Sequence, residues 1–235
     1  MKKRVRKNVG DYSDFYSEHV GTMSKKGKAK IRKAKRLRNK KLIERYPWIR
    51  PVGWRGERLK SYDFTMYDDV PPGWKRAFGK IMLEEYRTAL IKNRFLQEFQ
   101  WVQVKEKYGT LRLYSESAPR EVLDLESKYD YISAFFCISC GRMNAPMLTG
   151  GWIEPLCEAC YNKRIAGQKR WHEKNYKDQD FTYVPYEKLD KEEQDIQMVA
   201  KYKCFSNEQG DYIEERDYSD TIKKIKERQK KLFPI

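Results

Sequence analysis

The chain has 235 residues, of which 36% are charged, and its formal net charge is +16. This length suffices for one medium-sized domain or two small ones. No apolar run reaches the roughly 18 residues of a membrane span, and the basic N-terminus lacks the apolar segment of a secretory signal. We therefore expect a cytoplasmic protein, and cysteines that fall mostly in metal-binding spacing suit a reducing compartment.

The positive charge is concentrated at the N-terminal end. Residues 1–60 contain 21 Lys and Arg against 5 Asp and Glu, so the remainder of the chain is neutral overall. The segment 25–45 is the densest part and predicts a basic helix, or a disordered arm that becomes helical on a polyanion. The candidate contacts in it are Lys25, Lys26, Lys28, Lys30, Arg32, Lys33, Lys35, Arg36, Arg38, Lys40 and Lys41.

The phosphate backbone of DNA or RNA is the expected partner of this segment, because each lysine or arginine placed there releases a counterion. A solvated tail that only keeps the protein soluble is the alternative interpretation. An anionic membrane surface is disfavoured, since the apolar stripe of the segment is too thin to insert.

Aromatic rings and prolines dominate residues 46–74. Trp48, Arg50 and Trp54 interleave rings with positive charge, as a stacking platform for single-stranded nucleic acid requires. We favour the other interpretation, in which these rings pack in the core.

An α-β-β-α unit is predicted next. Apolar residues recur at helical spacing in its first element, while Val102 and Val104 alternate with polar residues as in a half-buried strand. Lys105 and Lys107 lie on the polar face of this strand and extend the basic surface. The predicted elements are a helix over Lys75–Leu96, strands over Trp101–Tyr108 and Leu111–Tyr114 joined at Gly109-Thr110, and a helix over Pro119–Phe136.

Two C-x2-C pairs, Cys137/Cys140 and Cys157/Cys160, are separated by 16 residues. This spacing predicts one zinc ion held tetrahedrally by four thiolates, with two disulfides or four free thiols as the alternatives. Gly141 follows the first pair and can take the positive φ that such a turn requires. Because four thiolates fill the shell, the zinc is predicted to be structural, and the sequence indicates no catalytic residue.

The residues around the pairs predict a small module. Met147-Leu148 and Trp152-Ile153 flank a Gly150-Gly151 turn and predict a short hairpin. A helix is predicted from Tyr161 to about Lys174. A knuckle, a hairpin and then a helix are typical of a treble-clef or zinc-ribbon module, so the expected fold class is α+β.

Two further helices are predicted beyond this module, over Tyr186–Tyr202 and Ser219–Leu232. Cys204, the fifth cysteine, is interpreted as a free thiol. The expected organisation is a basic arm at 1–45, an α+β core with the zinc module at 46–174, and a C-terminal helical extension at 175–235.

Residues from about Tyr46 to Lys163 resemble a group of uncharacterised proteins encoded by bacteriophages and prophages. The resemblance rests on Pro72-Gly73-Trp74, on the strand motif Gln103–Tyr114 and on the two cysteine pairs. It implies a phage origin and action in the cytoplasm of a bacterial host. It implies no catalytic residues.

The function expected from the sequence is that of a small zinc-stabilised protein that binds nucleic acid without reading its sequence. The alternative is a protein-interaction factor that inhibits or redirects a host defence or nucleic-acid-processing enzyme. A nuclease is disfavoured because no metal-binding pattern of acids and histidines is present. The sequence indicates neither a membrane partner nor a small-molecule substrate.

Overall fold

The computed structural model describes residues 24–53, 55–143, 145–148, 153–176, 182–189, 191–192, 201–203 and 215–232. Three features interpreted from the sequence lie outside these residues: the ring of Trp54, the Gly150-Gly151 turn and the thiol of Cys204.

Helices and small antiparallel sheets make up the fold. Among the described elements, none of the helices combines the length and the apolar character needed to cross a membrane. The helices are α1 (Lys25–Arg45), α2 (Pro72–Trp74), α3 (Lys80–Lys92), α4 (Arg120–Ser133), α5 (Glu158–Asn175) and α6 (Ser219–Leu232), with a π-helical turn at Lys75–Gly79 and 3-10 turns at Pro47–Ile49, Met66–Asp69 and Tyr186–Lys188. The strands are β1 (Trp101–Lys107), β2 (Thr110–Ser115), β3 (Met147–Leu148), β4 (Glu154–Pro155), β5 (Lys191–Glu192), β6 (Lys201–Lys203) and β7 (Glu215–Asp217).

The predicted hairpin is present as the antiparallel pair β1–β2, in which Lys107 faces Thr110. Its turn is Tyr108-Gly109, one residue earlier than predicted, with φ of 51° and 78°. Positive φ at both central residues gives a turn whose twist matches that of the flanking strands. The Glu106 carboxylate accepts a hydrogen bond of 2.7 Å from the Gly109 amide and closes the turn.

The hairpin and helices α3 and α4 enclose an aromatic core. Phe78 stacks on Tyr129 with ring centroids 5.5 Å apart, and Tyr86 meets Trp101 edge to face at 5.2 Å. Trp48 is also fully buried. It is therefore a core residue and cannot stack on an external base, which confirms for this ring the interpretation favoured from the sequence.

Helix α1 is attached to this core through its C-terminal half. Ile43 is buried in the aromatic core, and the buried Asn39 donates a hydrogen bond of 2.9 Å to the Tyr62 carbonyl. The Asp68 carboxylate accepts from Arg38 at 2.6 Å and from the Thr65 amide at 2.9 Å. These contacts anchor the last two turns of α1, so the helix is a fixed part of the fold in this region.

The helix predicted over Lys75–Leu96 begins with the π-helical turn, which follows α2, and continues as α3 to Lys92. A Cβ atom on Gly79 would overlap the Tyr67 hydroxyl, so only glycine allows this approach. In a π-helical turn the regular i to i−4 hydrogen bonds are shifted, so some backbone carbonyls remain available to side chains. The carbonyl of Arg76 accepts such a bond, of 3.0 Å, from Arg228 of α6.

The small sheet beside the cysteines has the order β4-β3-β5. Its β4 lies one residue beyond the predicted Trp152-Ile153 strand. The predicted helix over Tyr186–Tyr202 is wrong, because Tyr186–Lys188 is a 3-10 turn and Lys191–Glu192 is the strand that pairs with β3. In a helix, the backbone amides and carbonyls of Lys191 and Glu192 would bond within the helix, but here they bond to β3. Such tertiary contacts override a weak helical propensity.

Helix α6 has the bounds predicted for it, Ser219–Leu232. Ile222 and Ile225 on one face are buried in the main core with Tyr218. Thr221 donates a hydrogen bond of 2.8 Å to the Glu85 carboxylate of α3. The C-terminal helix is therefore integrated into the same core as the hairpin.

Replacing Gly73 by alanine tests the closest backbone contact in this fold. A Cβ atom there would overlap the Cys137 carbonyl oxygen and lie 2.6 Å from the Ile138 carbonyl. We expect Gly73→Ala to lower the free energy of unfolding by about 1–3 kcal/mol, because backbone atoms cannot move aside cheaply. Gly167→Ala is the matched control, since the space around this glycine in α5 is open, and it should stabilise by roughly 0.5–1 kcal/mol. Thermal unfolding curves that rank the two variants in the opposite order would contradict this packing.

The Asp68 carboxylate is the expected anchor of α1. Its side chain is only 13% exposed and binds Arg38, whereas that of Asp63 is 54% exposed in its pair with Arg36. Asp68→Ala should therefore cost about 2–3 kcal/mol, since it leaves buried donors unpaired. Asp63→Ala should cost no more than about 0.5 kcal/mol. Urea unfolding of both variants measures the difference, and equal losses would show that Asp68 does not anchor α1.

Candidate metal centre and basic helix

The four cysteines of the two C-x2-C pairs converge on one point. Their Sγ atoms all lie within 4.8 Å of one another, and those of Cys140 and Cys157 are 3.6 Å apart. Four sulfurs on one tetrahedral zinc, each at about 2.3 Å, would be about 3.8 Å apart. A disulfide requires about 2.0 Å between sulfurs, and all four cysteines are free thiols. The arrangement therefore fits a single metal ion at its centre.

Each pair of cysteines is shaped by local backbone bonds. In the first pair, the Gly141 amide donates to the Cys137 carbonyl at 2.8 Å, and Gly141 has a φ of 80° as predicted. The Arg142 amide points at the Cys140 sulfur, 3.5 Å away. In the second pair, Cys157 is the N-cap of α5 and its carbonyl accepts from the Cys160 amide at 3.0 Å. The first pair is thus a turn, and the second is a helix start.

The backbone of the first pair also accepts hydrogen bonds from residues of the helical core. The Ile138 carbonyl accepts 2.8 Å from the Gly73 amide, and the Cys140 carbonyl accepts 2.9 Å from the Arg76 guanidinium. Gln229 of α6 donates to the Gly141 carbonyl. The orientation of the two thiols is consequently fixed by α2, by the π-helical turn and by α6.

Charge in the cluster supports a cation at its centre. A hydrogen bond from the Cys140 thiol, together with bonds from backbone amides and against the effect of burial, lowers the pKa of Cys137 to about 4. The same contact raises the pKa of Cys140, and burial raises that of Cys160 to about 12. In the protein alone the negative charge is thus favoured on Cys137 and disfavoured on Cys140 and Cys160. A divalent cation removes this conflict, because all four thiolates then face positive charge.

The donor set is closed. Among the described residues, the four cysteines form the only group of histidine, cysteine or acidic side chains that could hold a metal. His172 lies in α5 against the Tyr176 ring, at 5.5 Å between centroids, and His19 lies outside the described residues. A metal bound by four sulfurs keeps no position for a water molecule, so this site can hold the fold together but not activate water.

The predicted basic contacts fall into two groups along α1. Four of them have acidic partners: Lys35 and Arg38 at Asp68, Arg36 at Asp63, and Lys40 at Glu44. The others form no ion pair within the described part of the chain; these are Lys25, Lys26, Lys28, Lys30, Arg32, Lys33 and Lys41. The N-terminal half of α1 therefore carries most of the unneutralised charge.

The two predicted hairpin contacts lie beside aromatic rings. The ammonium of Lys105 lies 5.1 Å from the centroid of the Tyr114 ring, and that of Lys107 lies 5.3 Å from Tyr108. Tyr108 is 66% exposed at the turn. The ion pair between Arg112 and Asp130 neutralises the third basic residue of this hairpin. Lysine and exposed tyrosine together form a small surface at the tip of the hairpin.

Sequence patterns did not identify the residues that hold the cysteine turn in place. Arg76 and Gln229 are far from the cysteines in the chain and carry no motif. Gly73 belongs to the Pro72-Gly73-Trp74 motif of the resemblance, but nothing in the sequence indicated its contact with the cysteine turn.

No protein-family model, curated protein or solved structure matches the chain.

Replacing one ligand tests the metal centre. Cys157→Ser should abolish binding of one metal ion per chain and lower the melting temperature sharply, because a structural metal contributes on the order of 10 kcal/mol to folding. Elemental analysis of the purified protein, combined with thermal unfolding, measures both effects. Cys204→Ser is the thiol-matched control and should retain the metal. Wild-type protein purified without a bound metal, or a Cys157→Ser variant with unchanged melting, would contradict the assignment.

Proposed function

We propose that this protein binds nucleic acid without sequence specificity through the N-terminal half of α1, on a fold stabilised by one zinc ion. The observation that carries the proposal is the division of α1 into an anchored half and an unpaired cationic half. Six basic residues within Lys25–Lys33 have no acidic partner in the described part of the chain. Uncompensated positive charge on a fixed helix is suited to a phosphate backbone.

The placement of these six residues around the helix supports the same function. At about 100° per residue, they cover an arc of roughly 200°. Gly27, Ile31 and Ala34 occupy the remaining face. A helix with such a broad cationic arc can contact phosphates on both walls of a groove, and the major groove of DNA, about 12 Å wide, admits an α-helix. Lysines and arginines on phosphates position a protein without reading the bases.

Anchoring makes this helix more effective than a free tail. A disordered arm loses conformational entropy when it becomes ordered on its partner. The contacts of Asn39, Ile43 and Asp68 already hold the C-terminal half of α1 in place. The entropy cost of binding is correspondingly lower.

Zinc is the proposed occupant of the four-cysteine site, and its role is structural. Thiolates favour zinc over harder cations such as magnesium, and four of them complete a tetrahedral shell. The sequence of cysteine turn, β3–β4 hairpin and a helix that starts at Cys157 supports a treble-clef or zinc-ribbon module. Bound zinc would hold the turn and the start of α5 together.

The setting we propose for this activity is the cytoplasm of a bacterial host. It rests on the resemblance of the strand motif and the cysteine pairs to bacteriophage proteins. A phage-encoded protein of this charge would meet both DNA and RNA there.

The test removes positive charge from the unpaired half of α1. Lys26→Ala, Lys30→Ala and Lys33→Ala, combined in one variant, should weaken binding to labelled DNA and RNA at low salt. The slope of log affinity against log salt should fall by up to about three, since each lysine on a phosphate contributes about one. Fluorescence anisotropy between roughly 50 and 200 mM salt measures both quantities.

The matched control removes three exposed lysines elsewhere, in the variant Lys60→Ala, Lys163→Ala and Lys188→Ala. Its net charge is the same, so a general charge effect would weaken both variants equally and overturn the assignment to α1. Wild-type protein that binds neither DNA nor RNA at low salt would contradict the proposal. It would favour the alternative in which the basic helix docks in the nucleic-acid groove of another protein.

A further inference from the structure

An open cleft of about 530 Å³ lies between α3, α4 and α6. Ile81, Ala89 and Leu125 give it an apolar floor. Its walls carry charged side chains: α3 and α4 supply both signs and α6 supplies only cations. These residues are Lys80, Glu84, Glu85, Glu121, Lys128, Lys224 and Arg228. None of the residues that line the cleft is one of the four cysteines or one of the proposed nucleic-acid contacts of α1.

The carboxylates of the cleft are already neutralised. Glu84 accepts from the Arg45 guanidinium at 2.7 Å and from the Tyr46 hydroxyl at 2.6 Å. Glu121 accepts 3.0 Å from Lys92. Both cations, Arg45 and Lys92, come from outside the cleft, so these two carboxylates are paired without using the cations that line it.

Glu85 accepts hydrogen bonds from three different residues. It accepts from the Lys128 ammonium at 2.6 Å, from the Tyr129 hydroxyl at 2.7 Å and from Thr221 at 2.8 Å. Its interaction with Lys128 pairs one cation of the cleft with one anion. No carboxylate of the cleft is thus left to neutralise Lys80, Lys224 or Arg228.

These three cations have no acidic partner within the described part of the chain. Lys80 and Lys224 form no ion pair or hydrogen bond within the described ranges, and both are exposed. Arg228 uses its Nε atom on the Arg76 carbonyl at 3.0 Å, which fixes the direction of the guanidinium. Burial lowers the pKa of Lys128, and its ion pair with Glu85 opposes that shift, so Lys128 already has its anion. Lys80, Lys224 and Arg228 also line the cleft, and an anion bound there would face these three positive charges.

We propose that this cleft binds a phosphate-bearing ligand, with the phosphate at Lys80, Lys224 and Arg228 and an apolar or planar group on the floor of Ile81, Ala89 and Leu125. Arginine and lysine are the common donors to phosphate oxygens, and arginine adds planar, bidentate bonding. An apolar floor with a few converging polar groups is typical of small-ligand sites. The ligand is either a free nucleotide or the backbone phosphates of a bound nucleic-acid strand.

The experiment uses the full-length protein and isothermal titration with inorganic pyrophosphate, adenosine 5′-diphosphate and uncharged adenosine. Wild-type protein should bind adenosine 5′-diphosphate more tightly than pyrophosphate, because of the apolar floor, and adenosine most weakly. The variant Lys80→Ala with Lys224→Ala should lose about 10- to 100-fold in affinity for the two anions, since two charged hydrogen-bond donors are removed. Anisotropy with a labelled oligonucleotide is measured on the same variants.

The matched control is Lys223→Ala with Lys226→Ala, which removes the same charge from exposed positions of α6 outside the cleft. Selective loss of adenosine 5′-diphosphate binding in the cleft variant identifies a free-nucleotide site. Selective loss of oligonucleotide affinity identifies backbone phosphates as the ligand. If no probe distinguishes the cleft variant from the control, the cleft does not bind phosphate. That result would leave the proposed role of α1 intact, because the α1 variant is tested separately.

Discussion

The close approach of two glycine-containing segments determines much of this structure. Gly73 at the start of the first core helix lies against the backbone of Cys137 and Ile138, and Gly141 lies against the Gly73 carbonyl, so neither position has room for a side chain. This contact brings the carbonyls of the cysteine turn within reach of Arg76 and Gln229. The distance between the four-cysteine cluster and the helical core is therefore set by backbone packing, which tolerates little variation.

The cysteine module depends on this attachment because it has little core of its own. Its buried residues form a small cluster around Leu148, Leu156, Tyr161 and Tyr186, separate from the large aromatic core. Such a cluster buries too little apolar surface to fold independently, and small modules of this kind require a metal or a larger partner. Here the four thiolates could hold an ion, and the helices bind the turn from outside. Loss of the metal and loss of helical packing would consequently act on the same turn.

The basic residues of α1 fall into two groups, one paired with acids and one unpaired in the described structure. Basic residues in the C-terminal half of α1 pair with acids of the core, and this pairing fixes the helix direction. Those in the N-terminal half have no such partners in the described structure and extend the cationic surface. The cleft between α3, α4 and α6 shows the same division. Its Glu84 and Glu121 pair with Arg45 and Lys92. Its own Lys80 and Lys224 therefore have no acidic partner in the described structure. Phosphate chemistry suits both surfaces, and they are separated widely enough in the chain to be varied independently.

Local patterns in the sequence determined the elements whose signals are short-range. The C-x2-C spacing sufficed to predict the thiol cluster, since each pair is closed by bonds within five residues. Alternation at Val102 and Val104 sufficed for the hairpin, and apolar periodicity gave the bounds of α6. Long-range contacts decided the rest. Pairing with β3 made Lys191–Glu192 a strand where periodicity favoured a helix. Which lysines of α1 remain unpaired depends on Asp63 and Asp68, some 30 residues away, because an ion pair is a property of three-dimensional distance and leaves no periodic trace in the chain.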